Sequence, residues 1–148
     1  MPSKAAIHTR PRPTKPRNRL VELNPRDATD QELESLALEF FLQDFCVKPV
    51  DVGLSRGYLQ RVAAEIRDRG PASRVAKTAR LVSLEGIGRR WKRPSIRQRA
   101  RQLYQDELLS FQSRMSDETV LRSEETLMII TMFGLYEVIH FSRTNQCS

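Results

Sequence analysis

Cysteine and histidine are scarce in this chain, with two of each in 148 residues. Cys46 and Cys147 stand far apart, as do His8 and His140, so no local pair has the spacing of metal ligands. No metal and no cofactor is therefore expected, and both thiols read as free in a reducing compartment. The phosphate-cradling P-loop, GxGxxG, GxSxG and HExxH are all missing. The paired acids Asp106-Glu107 and Glu124-Glu125 are adjacent in sequence. On a helix such neighbours diverge by about 100°, which is no geometry for acid–base work. No catalytic residue is predicted, and the chain reads as a non-enzyme. Apolar runs are also too short to span a bilayer, which takes roughly 20 residues, so no membrane partner is expected. The amino terminus lacks the apolar core of a secretory signal. Five prolines in the first 25 residues oppose the amphipathic helix of a mitochondrial leader. The expectation is a soluble intracellular protein. Strand alternation, hairpin turns and internal repeats are absent too.

Positive charge, by contrast, is abundant. The net charge is +7, and two blocks hold the whole excess. Residues 1–28 combine five prolines with seven Lys/Arg, so this segment repels itself and cannot bury enough surface to fold. It reads as a disordered tail. Its Arg10, Arg12, Lys15, Arg17 and Arg19 suit a nuclear import signal or phosphate contacts, or simply a solvated linker. The second block, residues 89–101, has seven Lys/Arg and no acid. Within it Trp91 stands among Arg89, Arg90, Lys92 and Arg93. Three readings stay open: Trp91 covers the helical core while its neighbours are solvated, the cations form an import signal, or Trp91 stacks on a base while the cations hold phosphates. Ser95 follows Arg93-Pro94, a context that suits phosphorylation. A phosphate there would meet first-turn amides and guanidinium groups.

Between the blocks, periodicity predicts helices. Thr29 and Glu32 form a capping box ahead of Leu33, Leu36, Ala37, Phe40 and Phe41, and this helix ends before Pro49. The cluster Phe40, Phe41 and Phe45 reads as core. A second helix presents Leu59, Val62, Ala63 and Ile66, with Arg61 and Glu65 placed for an i,i+4 pair. Gly70-Pro71 closes it and opens a third, which carries Val75, Ala76, Ala79 and Val82 and ends near Gly86. Gly86 to Arg93 is expected to be a basic loop. Pro94 begins a fourth helix through Ile96, Ala100, Leu103, Tyr104, Leu108 and Phe111. A polar turn through Glu118 and Arg122 leads to Ser123, which caps the last helix. That helix, Thr126 to Phe141, is apolar on all sides, which predicts burial all round and a central position. Gly134 is expected to be a close-packing point within it, and His140 to cap its last carbonyls or touch solvent. The fold class is then all-α, about five helices packed as antiparallel pairs around an apolar C-terminal helix. The divisions are a basic tail over 1–28, a helical domain over 29–141 and a polar tail over 142–148.

Ala100, Tyr104 and Leu108, followed by Leu135-Tyr136-Glu137 at the end of an apolar helix, resemble the helical regulatory region of fungal-specific transcription factors. In that family an A-x-x-x-Y-x-x-x-L helix precedes an apolar helix ending in a leucine–tyrosine–glutamate triplet. Leu36 to Phe45 is similar to the helix that opens the region, so the resemblance covers residues 30–141. It implies a non-catalytic regulatory module in the nucleus that acts through protein partners or self-association, with the cytoplasm as the alternative location. Family members carry an amino-terminal zinc cluster of six cysteines, which this sequence does not have. Neither zinc nor that mode of DNA binding is carried over. The family region also continues past the triplet, whereas eleven residues follow Glu137 here. The resemblance thus implies a truncated region whose last helix leaves an apolar underside prone to self-association. The alternative function is a small basic nucleic-acid-binding protein using residues 1–19 and 89–101.

Overall fold

The structure, a computed structural model, describes residues 24, 27–45 and 58–142. Arg10, Arg12, Lys15, Arg17 and Arg19, His8, both cysteines and the segment holding Pro49 lie outside the described residues, as do the expectations placed on them. Six helices carry the regular structure of the described residues, and no strand occurs among them. They are α1 (Asp30–Phe45), α2 (Tyr58–Arg69), α3 (Arg74–Arg90), α4 (Pro94–Arg114), α5 (Glu118–Leu121) and α6 (Glu124–Phe141). The all-α class is as expected, with one helix more than the sequence suggested. That extra helix, α5, occupies the expected polar turn. Asp117 nucleates it by accepting from the Thr119 amide at 2.9 Å and the Thr119 hydroxyl at 2.7 Å.

Several helix ends follow directly from local chemistry. The Thr29 amide donates to Glu32 at 2.8 Å while the Glu32 amide donates to the Thr29 hydroxyl oxygen at 3.2 Å, the reciprocal pair of a capping box. Gly70 ends α2 at φ +87°, in the left-handed region. Pro71 was expected to open α3 and does not; Ser73 caps it instead, accepting from the Ala76 amide at 3.2 Å. Pro94 is the first residue of α4, and Ser123 caps α6. On α2, Arg61 does not pair with Glu65. It reaches Glu124 of α6 at 2.9 Å, while Glu65 pairs with Arg69. Both members of the Arg61–Glu124 pair are exposed, so it contributes little.

The largest correction concerns the centre. The last helix was expected to be wrapped by its predecessors, but α3 holds that position, packing against α1, α2, α4 and α6. Every residue from Leu81 to Glu85 is buried. Alanines at 76 and 79 and Ser83 leave room for neighbours to approach α3 closely from several directions. The most apolar helix, α6, is instead covered on one side. Met128, Ile129, Met132, Phe133 and Tyr136 face the core, while Leu127, Ile130, Val138 and Phe141 remain 56, 46, 65 and 57% exposed. Gly134 is exposed as well, and a Cβ added there would meet nothing within 4 Å. It is no close-packing point among the described residues.

The aromatic core reading of α1 is correct. Phe41 is fully buried and stacks on Phe45 at 5.1 Å, and Phe40 meets Trp91 edge-on at 5.5 Å. On the other side of α3, Phe133 of α6 takes Tyr104 and Phe111 of α4 edge-on at 5.5 and 5.6 Å. These rings join α4 to α6 around the central helix.

Candidate interaction site at the α3–α4 corner

The second basic block lies where α3 turns into α4. It is not the loop the sequence suggested. The helix runs on through Gly86 and Gly88 to Arg90, and only Trp91 to Arg93 make the turn. The Arg93 amide donates to the Gly88 carbonyl at 2.8 Å and the Lys92 amide to the Arg89 carbonyl at 3.3 Å. This is the Schellman pattern of a helix end, with Lys92 at φ 51° where glycine is usual. Gly88 is required for a different reason. A Cβ there would come within 2.5 Å of Arg97 Cγ and 3.0 Å of the Arg97 backbone nitrogen. The two helices touch at that point.

The basic side chains separate into two groups. Arg93 donates to Asp30 at 2.5 Å and to the Ala28 carbonyl at 3.0 Å, tying the start of α4 to the start of α1. Asp30 also accepts from the Ser95 hydroxyl, and these bonds, Ser95 first, hold its carboxyl below the usual carboxylate range. Ser95 itself is exposed in the first turn of α4. Arg99 reaches Glu34 of α1 at 3.1 Å. Arg89 and Arg97 turn inward. Arg90, Lys92 and Arg101 are exposed, and Trp91 is half-buried against Phe40.

The inward pair meets a group that sequence reasoning missed, Glu85. Its side chain is wholly buried, with Oε1 3.0 Å from Arg89 Nε, 3.1 Å from His140 Nδ1 and 3.5 Å from Arg97 Nε. His140 was expected to cap carbonyls or touch solvent; it is partly exposed, and its ring also bridges α6 to α3. One carboxylate thus gathers side chains from α3, α4 and α6. Its other oxygen, Oε2, has no hydrogen-bond partner. Beside it Tyr136 stacks on His140 at 5.6 Å and on Tyr104 at 4.2 Å. Burial, and then the Glu85 charge, push the Tyr136 hydroxyl up. Tyr104 donates to Glu137, and burial together with that bond raises its pKa to about 12. The signal for Glu85 was present: a lone acid between Leu84 and Ile87, four residues before Arg89, the orientation that favours an intrahelical pair. Its links to Arg97 and His140 depend on tertiary placement.

Chemically the cluster is a clamp. A carboxylate sealed from solvent and surrounded by cations can lock helices together but cannot reach a substrate. An open hollow of about 420 Å³ lies on the α1–α3 side, lined by Gln31, Glu34, Ser35 and Arg80. Among the described residues, no three His, Cys, Asp or Glu side chains are grouped to hold a metal ion. No helix among them is long and apolar enough to cross a membrane.

No family model matches the chain, and no solved structure does. A curated protein of Emericella nidulans, described as transcription factor dbaG, is 31% identical over 121 residues, which is 82% of this chain. The chain is related to a fungal transcription factor. It spans 29% of the length of that relative.

Proposed function

We propose that this chain is a non-catalytic helical regulatory module of a fungal transcription factor, acting in the nucleus through protein contacts. The observation that carries the reading is the relationship to a transcription factor across 82% of the chain. The helix pair that prompted the family resemblance supports it. Ala100 and Tyr104 on α4 face the core beside Tyr136 of the Leu135-Tyr136-Glu137 triplet, and Tyr104 bonds to Glu137. These motif residues hold two helices in register, a structural role suited to a regulatory domain. On this reading residues 29–141 form the helical module and the Pro/Arg-rich segment before it carries the import function.

The nucleic-acid alternative draws less support. Arg89, Arg93, Arg97 and Arg99 are all engaged with acidic side chains, leaving Arg90, Lys92 and Arg101 as exposed cations of the second block without an ion pair among the described residues. The whole chain fused to a heterologous DNA-binding domain should alter reporter transcription, and alanine at Arg90, Lys92 and Arg101 should leave that effect intact. A reporter that does not respond would overturn the regulatory reading. In gel shifts the chain should retain little nucleic acid at physiological salt. Retention that weakens steeply as salt rises would favour the alternative.

A further inference from the structure

From the outward face of α6 we infer that the chain self-associates through a two-fold contact centred on Gly134, with a second copy of α6 as the occupant. The face is an apolar stripe, Leu127, Ile130, Gly134, Val138 and Phe141, at steps of three and four residues. Its layout is symmetric about Gly134. Ile130 and Val138 stand four residues to either side, and Leu127 and Phe141 seven. A two-fold axis perpendicular to the helix at Gly134 therefore sets Ile130 against the partner's Val138 and Leu127 against the partner's Phe141. That is the self-complementarity an isologous interface demands.

Gly134 supplies an independent reason. Glycine in mid-helix lowers stability relative to alanine, yet among the described residues no neighbour uses the missing Cβ. At the centre of the stripe it lets two helix backbones approach closely. The area sets the strength. Four side chains exposed to about half present on the order of 400 Å², the size of functional patches on monomers. Doubled across the axis, this stays below the roughly 1,200 Å² of stable complexes, so the dimer is weak and depends on concentration. The inference deepens the protein-contact reading by naming one partner. Its failure would leave the reporter result untouched, because the two readouts are independent.

Sedimentation velocity on the full chain, from low to high micromolar concentration, tests it. A concentration-dependent shift from monomer to dimer is expected. Gly134→Leu should weaken the dimer by about tenfold or more while the diluted monomer melts no lower than the parent, because the position is open within the chain. Val138→Glu should abolish the dimer without loss of helical circular dichroism. With both native cysteines replaced by serine, Gly134→Cys should cross-link rapidly to itself on oxidation, since the two copies meet on the axis. A chain that stays monomeric throughout, a Gly134→Leu variant that dimerises as well or better, or a Gly134→Cys variant that fails to cross-link would each overturn the proposal.

Discussion

The third and sixth helices invert a common assumption. α6 is by composition the most apolar helix, yet four of its eleven large apolar side chains face outward; α3 contains Arg, Lys, Thr, Ser and Glu, yet its middle is sealed. Burial follows from how many neighbours a helix can accommodate, and this depends on side-chain size as well as polarity. Ala76, Ala79 and Gly88 let α3 be approached closely, and Glu85 is tolerated there because the guanidinium groups of Arg89 and Arg97 and the ring of His140 surround it. In α6 the apolar residues exceed what one contact face can cover.

Matched substitutions should break or sharpen this contrast. Leu84→Ala, at a fully buried site in α3, should cost about 2–5 kcal/mol in chemical denaturation. Leu127→Ala in α6, at a site more than half exposed, should stay within about 0.5 kcal/mol. Equal losses would remove the distinction between the helices. Removing the carboxylate by Glu85→Ala strands the partly buried Arg89 and Arg97, and should cost about 3–5 kcal/mol. The melting temperature would register it, and an unchanged value would mean the clamp does not hold the helices.

The two helix glycines should respond with opposite signs. Gly88→Ala forces a methyl group against the Arg97 backbone and should destabilise by about 1–3 kcal/mol. Gly134→Ala enters open space and should stabilise the dilute monomer by about 1 kcal/mol. Denaturation midpoints of the two variants on the same side of the parent would contradict the packing described for α3 and α4.

The smallest effect is a pH dependence. Tyr104 is the group concerned, its folded pKa raised to about 12 from an ordinary 10.0. The folded state therefore holds this proton more tightly than the unfolded chain. Its contribution is complete below pH 10 and is lost as pH rises from 10 toward 12. Tyr104→Phe should flatten that alkaline limb of a stability profile. An identical limb in the variant would place the titration elsewhere.

What the sequence made legible was local. The Thr29–Glu32 box, the left-handed Gly70, Pro94 at the head of α4 and the Ser123 cap all depend on residues within a turn of one another, and all are present. Its failures were tertiary. Gly86 and Gly88 looked like the end of a helix because glycine disfavours one, but close contact with α4 holds the helix through Gly88 to Arg90. Arg61 had an acid at i+4 and took one on another helix. Of the candidate interaction site, the basic block was visible as charge, but its division into inward clamps and outward cations was not. That division depends on Asp30, Glu34 and Glu85, of which the first two lie on α1.

Native-state hydrogen exchange tests the central place of α3 most directly, because amides in the last structure to open exchange only with global unfolding. The account predicts that the amides from Leu81 to Glu85 are the slowest in the molecule, and that those of α6 exchange earlier through local opening. Slowest exchange in α6, with α3 opening before it, would contradict it.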